Sequence, residues 1–254
     1  MTNTYKEEVE LQDRLSKDYE NIRYRRPYSR MYHDWTIRKM LSNIDLKRHD
    51  RMKILDNGCG IGHLRKILPE KMNYVGLDIS QGMLQVARKR SMNVVVGDSQ
   101  NLCLTDDCLD LIVARSLLHH LPDPEAAIIE MQRVLKRGGE VVFLDTNFSF
   151  INNIPRWAVY KGTRFSREHK NLKSRDILQI VGGNFSIKGI EFFGYLAYPL
   201  LGFPDLVDFG RWLPLLQIFA PALIKLDELI SKVPIVRSLG WGIIIVASLV
   251  DQSN

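Results

Sequence analysis

The chain has 254 residues, 45% hydrophobic and 25% charged, a composition that excludes a disordered or low-complexity protein and suits one α/β domain with additions. Its 35 basic and 29 acidic residues leave a modest net charge of +6, concentrated partly between Arg156 and Asp176 and in Arg23, Arg25, Arg26 and Arg30. Cys59, Cys103 and Cys108 have neither disulfide nor metal-ligand spacing, residues 1–10 are polar, and no apolar run is long enough to span a bilayer. These features set the expectation of a metal-free cytoplasmic protein that touches a membrane at its periphery at most.

Residues 5–20 alternate charges with Val9, Leu11 and Leu15, the pattern of an amphipathic helix. After Pro27, apolar residues from Met31 to Ile44 recur at helical spacing, so residues 1–50 read as a helical cap. Tyr24, Tyr28 and Tyr32 recur every fourth residue there; core packing is the first reading and a ring closing over a ligand the second. Strand 1 is expected over 52–57, followed by the turn Asp56-Asn57-Gly58-Cys59-Gly60-Ile61-Gly62 and a helix over 61–70. Glycines suit a turn whose backbone adopts positive φ and approaches a ligand closely, and a helix start there would direct N–H groups at it.

Strand 2 is expected over 73–78, ending at Asp78, with Ser80 as N-cap of a helix through Arg90. Strand 3 spans 93–97, just before Asp98, and strand 4 spans 109–115. Asp56, Asp78 and Asp98 thus fall near the C-terminal ends of three successive strands, where open parallel sheets bind ligands. Pro122-Asp123-Pro124 starts a helix that Gly138-Gly139 should stop, and Glu140 to Asp145 forms strand 5. Ser174 opens a helix through Val181, strand 6 runs from Ile187 to Phe193, and the β-branched run Ile243 to Ala247 is a strand buried on both faces.

From Ile54 to Asp145 the chain resembles the class I S-adenosylmethionine-dependent methyltransferases of the small-molecule type 11 branch. The resemblance rests on the glycine turn, on Gly76-Leu77-Asp78-Ile79-Ser80 with Met83-Leu84, and on Gly97-Asp98. It continues through Asp110-Leu111-Ile112-Val113, Leu118-His119-His120-Leu121-Pro122-Asp123 and Arg133-Val134-Leu135-Lys136-Arg137-Gly138-Gly139. It implies a doubly wound, Rossmann-like sheet of seven strands, with strands 1–6 parallel and strand 7 antiparallel between strands 5 and 6. It implies S-adenosylmethionine as cofactor and S-adenosylhomocysteine as product. Gly58, Gly60 and Gly62 would admit the methionyl part, with Asp56 orienting the turn. Asp78 would hold the ribose hydroxyls, Ile79 and Met83 would flank the adenine, and Asp98 would accept from its amino group, with the Ser99 backbone N–H close by. Arg115 would stand at the amino-acid end. His120 is the candidate general base, since imidazole titrates near neutrality, although the His-His run also reads as a cap of the next helix.

The core is therefore expected over 51–194 and 241–254, with an insertion at 195–240 where the family has a short hairpin. The insertion holds eight charged residues and five prolines, so short helices joined by kinks are expected. Extra core, an apolar lid and an interfacial segment in contact with a membrane are its three readings. Trp157, Phe192, Tyr195 and Trp212 are candidates for an acceptor pocket. The expected partner is a small, lipophilic acceptor methylated at O, N or C. A non-catalytic cofactor-binding subunit of the same fold is the alternative. The G-x-G-x-G spacing argues against a nicotinamide enzyme, and Arg115-Ser116-Leu117-Leu118 after strand 4 argues against a nucleic-acid base as acceptor.

Overall fold

The computed structural model describes residues 3–46, 51–90, 92–148, 172–204 and 207–249. Trp157 and most of the basic stretch beginning at Arg156 lie outside them. Three helices come first, α1 (Asn3–Ser16), α2 (Tyr19–Arg23) and α3 (Pro27–Leu41). Strands β1 (Lys53–Asn57), β2 (Asn73–Asp78), β3 (Val94–Val96), β4 (Leu109–Arg115) and β5 (Leu135–Thr146) follow, with α4 (Gln81–Arg88) and α5 (Pro124–Val134) between them. After the undescribed stretch come α6 (Ser174–Asn184), β6 (Ser186–Phe193), α7 (Ala197–Leu201), α8 (Leu216–Ile230) and β7 (Gly242–Ser248).

The sheet order is β3-β2-β1-β4-β5-β7-β6, with β7 antiparallel to both neighbours, so the expected α/β architecture is present. Every residue of β7 is buried, which accounts for its unbroken β-branched run. One face of the sheet packs Ile128, Met131 and Val134 of α5 with Ile177 and Val181 of α6. The other packs Ile37, Met40 and Leu41 of α3 with Leu64 and Leu68.

Local chemistry explains the element ends. Ser80 Oγ accepts the Met83 N–H at 3.1 Å and caps α4, and Asp123 Oδ1 accepts the Ala126 N–H at 3.1 Å at the start of α5. The expected helix over 61–70 is not formed, and only a 3-10 turn, Leu64–Lys66, stands there. Left-handed backbone persists to Gly62 and Pro69 follows closely, so one loose turn is all that fits. Helix α5 ends at Val134, before the two glycines. Leu135 already pairs with Leu109, and residues 136–139 bulge, with Gly138 at φ +69°, before regular pairing resumes at Glu140.

The insertion departs from expectation at Pro221, which lies within a continuous 15-residue α8. Proline removes one backbone donor, but Gln217, whose carbonyl loses its partner, is exposed to water. Phe193 pairs with Gly242, and Gly242 with Thr146, so the insertion leaves and rejoins the sheet at the end where β5 also terminates. Its inner side shares a core with the cap: Ala197, Leu201, Leu216, Ala220 and Ile224 pack on Tyr28 and Tyr32.

Candidate functional site

A cavity of about 390 Å³ opens at the carboxyl edge of β1, β2 and β4, a size suited to a small molecule. Of the residues expected at a site, Gly58, Gly60, Asp78, Ile79, Met83, Ser99, Arg115 and His120 line it. Asp56, Gly62 and Asp98 do not belong to that lining. Asp56 is buried behind the turn, where its Oδ2 accepts the Tyr74 hydroxyl at 2.8 Å. Asp98 folds back on Gln100, accepting its backbone N–H at 2.9 Å and its amide at 3.1 Å.

The three glycines of the turn have φ of +77°, +53° and +76° at Gly58, Gly60 and Gly62. Their surroundings differ. A Cβ at Gly62 would lie 2.1 Å from Met92 Sδ, whereas one at Gly60 would meet nothing within 4 Å. Gly62 is therefore a packing position, and Gly60 is the point where bare backbone faces open space. Asp78 Oδ2 accepts the Gly60 N–H at 2.7 Å and its Oδ1 accepts the Ser80 N–H at 2.9 Å, which ties the turn to the end of β2. Burial raises the Asp78 pKa, and the Ser80 and Gly60 N–H groups oppose the rise.

Helix α1 closes one wall. Asp13 Oδ1 accepts the Ser80 hydroxyl at 2.5 Å and the Gly82 N–H at 2.8 Å. Glu8 Oε1 stands 2.9 Å from His120 Nδ1. Behind His120, the neighbouring His119 pairs with buried Asp145, which also accepts the N–H groups of Leu118 at 2.9 Å and Thr146 at 2.6 Å. Between β4 and this turn, Ser116 holds φ +52°, a left-handed backbone at a residue other than glycine, directly on the cavity wall.

Arg115, at the end of β4, and Arg23, at the end of α2, both line the cavity. Burial opposes the charge of Arg115, but Tyr24, Tyr19 and Asp56 around it outweigh burial and raise its pKa, and Tyr24 is hydrogen-bonded to it. Tyr24 stacks flat on His63 at 4.4 Å between centroids, and His63 Nε2 lies 2.8 Å from Asp34 Oδ1. Burial, then Arg115, push His63 down to about 4 against the pull of Asp34. Burial, then Arg23 and Arg115, hold His33 well below its usual value, and its Nε2 donates to the Gly202 carbonyl at 2.9 Å.

These imidazoles carry a stability signature. Both are neutral in the fold at pH 7 but protonate near 6.5 when unfolded, so their contribution is complete above that pH and falls as the medium turns acidic. The slope is about 1.4 kcal/mol per pH unit for each group. Asp56, raised to about 6 by burial despite the Tyr74 hydroxyl, acts in the opposite sense. Its protonation stabilises the fold as pH falls below 6, so it offsets one histidine. Asp78 and Asp227, which burial also raises, act in the same sense as Asp56, so the histidine part is read from the slope of stability against pH between pH 6 and 5 in urea unfolding. His63→Gln should flatten that slope, and an unchanged slope would place the proton uptake elsewhere.

Tyr24 and Tyr32 line the cavity, as the second reading of the tyrosine repeat allowed, but sequence reasoning missed the rest of the cap's contribution. Glu8, Gln12 and Leu15 lie on one face of α1 and reach the cavity together with Tyr19, Tyr24 and His33. The signal was present as a carboxylate and an amide on an otherwise apolar stripe. Of the aromatic residues expected at an acceptor pocket, Trp212 is 70% exposed, and neither Phe192 nor Tyr195 lines the cavity. Strand alternation points Phe193, not Phe192, to the cavity side, and the Tyr195 hydroxyl donates to the Arg237 carbonyl at 2.7 Å. Tyr198, Phe203, Val207 and Phe209 supply the roof instead.

Residues 55–143 match the family model described as a methyltransferase domain, type 11. The demethylmenaquinone methyltransferase of Staphylococcus epidermidis is 30% identical over 162 residues, 60% of this chain and 62% of that protein. The malonyl-[acyl-carrier protein] O-methyltransferase of Serratia marcescens is 33% identical over 98 residues, 37% of this chain and 38% of that protein. The chain thus spans under two thirds of the length of each of these relatives. A crystal structure from Thermotoga maritima, of an S-adenosylmethionine-dependent methyltransferase described as a possible histamine N-methyltransferase, matches with a TM-score of 0.63 at 17% identity. It covers 95% of this chain and 99% of that one, a likeness of fold.

Proposed function

Since residues 55–143 form a class I methyltransferase domain of the type 11 family, we propose that this protein transfers a methyl group from S-adenosylmethionine to a small, lipophilic acceptor. The observation that carries the reading is the Gly60–Asp78 hydrogen bond on the floor of a cavity whose roof is apolar. Open space beside bare Gly60 is a cradle that a Cβ would fill, and Arg115 is a cation positioned for a carboxylate. Both features fit the cofactor.

When bound, S-adenosylmethionine supplies an electrophilic methyl on a sulfonium. In this reading Asp78 accepts the ribose hydroxyls with the lone pairs its backbone partners leave free. Ile79 and Met83 flank the adenine with the Ser99 backbone N–H close by, and Asp98 turns from Gln100 to accept from the adenine amino group. Gly58 and Gly60 admit the methionyl part, Arg115 faces its carboxylate, and Gly62 and Asp56 keep the turn in shape from behind. In-line displacement needs positioning and exclusion of water more than added chemistry. The cap and the insertion serve that end as wall and lid. His120, held by Glu8, takes the proton from a hydroxyl or amine acceptor.

The relatives that act on a menaquinone precursor and on an acyl-carrier-bound malonyl group support a small-molecule acceptor. A cytoplasmic location, peripheral contact with a membrane through 195–240 and no nucleic-acid partner complete the reading. Among the described residues no helix is long and apolar enough to cross a membrane. Titration calorimetry tests the proposal: S-adenosylhomocysteine should give binding heat and NAD none. The reverse pattern would end it.

A further inference from the structure

The insertion has a second apolar face, turned away from the cavity. Along α8, Ile218, Phe219, Leu226 and Leu229 are exposed, the first at 69%. Trp212 and Leu215 extend the patch on one side, and Val233 and Ile235, the latter 89% exposed, extend it on the other. Single exposed apolar residues are ordinary, but a continuous stripe marks a surface with a partner.

The charges say which partner. Among the described residues of the insertion the exposed charged side chains are Arg211, Lys225, Lys232 and Arg237, all basic. The acids are turned inward. Asp208 binds Arg26, the Tyr28 hydroxyl and, at 3.5 Å, Arg211, Asp227 is buried on three backbone N–H groups, and Glu228 accepts the Trp35 indole N–H at 3.0 Å. An apolar stripe with a purely basic rim is complementary to an anionic lipid surface. A second copy of the chain is a poor match, because a two-fold contact sets the same four cations against themselves.

We propose that the outer face of residues 212–235 docks in the plane of a bilayer bearing anionic headgroups, with the apolar stripe at the acyl boundary and the cations among the headgroups. At 15 residues, α8 is too short to span and lies along the interface. Trp212 sits at headgroup level. The inner side of α8 packs on Tyr28, Tyr32 and Leu201, and the roof itself, Tyr198 to Phe209, adjoins this segment in the chain, so a lipid-dissolved acceptor leaves the bilayer beside the site. That last step rests on the methyl-transfer reading above; the docking does not.

Flotation of the full chain with vesicles tests the docking. The protein should float with phosphatidylcholine vesicles containing phosphatidylglycerol, about tenfold less with pure phosphatidylcholine, and less again as salt is raised. The double variant Ile218→Asp, Phe219→Asp should lose flotation while keeping its melting temperature and its binding of S-adenosylhomocysteine. Lys225→Glu with Lys232→Glu should lose the preference for phosphatidylglycerol. No flotation of the unaltered chain with anionic vesicles overturns the proposal. So does a dimer in sedimentation velocity that the double aspartate variant dissolves, since a second copy then covers the face. Flotation without S-adenosylhomocysteine binding would sink the methyltransferase reading and leave the docking standing.

Discussion

Asp78→Ala should weaken S-adenosylhomocysteine binding by roughly 1.5–3 kcal/mol, on the order of ten- to a hundredfold, as read by calorimetry. Two losses combine in that figure. The carboxylate would give up the ribose hydroxyls, and the turn would give up the acceptor of the Gly60 N–H at 2.7 Å. Asp78→Asn should be nearly as damaging. Both carboxylate oxygens already accept backbone N–H groups, so an amide must turn one donor against another. A cofactor analogue lacking the ribose 2′-hydroxyl separates the two losses. It should bind the unaltered chain more weakly than S-adenosylhomocysteine does, and the variant equally well. A penalty of the same size in both proteins would make Asp78 an anchor of the turn alone. An unaltered affinity in Asp78→Ala would remove it from the site.

Asp227→Ala should cost about 3 kcal/mol of stability, since it strips the acceptor from buried donors. Its two oxygens accept the N–H groups of Tyr195, Leu196 and Ala197 at 2.8, 2.8 and 3.1 Å, the donors that open α7. For a chain of this size the melting temperature should fall by about 6–12 °C. Asp227→Asn should recover part of this, because one oxygen remains and the amide must oppose an N–H. Hydrogen exchange should quicken over residues 195–201, and an unchanged melting temperature would mean that water takes the place of the carboxylate. The position matters because α7 carries Tyr198 to the roof of the cavity and Leu201 to the core shared with α3. Removing the whole insertion would also uncover Tyr28 and Tyr32, so point changes at its inner anchor are the cleaner probe of the lid.

Strands announce themselves locally, and β2 and β4 begin and end where their apolar runs and flanking polar residues place them. Caps are equally local, as Ser80 and Asp123 show. The glycine turn, Asp78 and Arg115 are legible because the strand order puts strand ends at one edge whatever the rest of the chain does. What could not be read depends on distant partners. Whether residues 61–70 coil into a helix is decided by left-handed backbone continuing to Gly62. Whether Asp98 faces the cavity is decided by Gln100. The cap supplies Glu8, Tyr24 and His33 from elements whose docking no short-range pattern encodes. In the insertion, proline spacing suggests broken helices, but Gln217, one turn before Pro221, is exposed to water, and α8 runs through the proline.

The burial of β7 has a consequence for the order in which the molecule is made. Among the described residues this strand comes last in sequence, yet it lies between β5 and β6, and all of its residues are buried. A growing chain can assemble β1 to β5 early, because those strands pair with one another. Until residues 242–248 emerge, β5 offers an unpaired edge and β6 has nothing to join, the condition in which incomplete sheets associate wrongly. The pairing that ends this exposure sets Thr146 and Phe193 on either side of Gly242. It also fastens both ends of the insertion at once. The floor of the cavity can therefore exist on the nascent chain well before its roof is fastened in place.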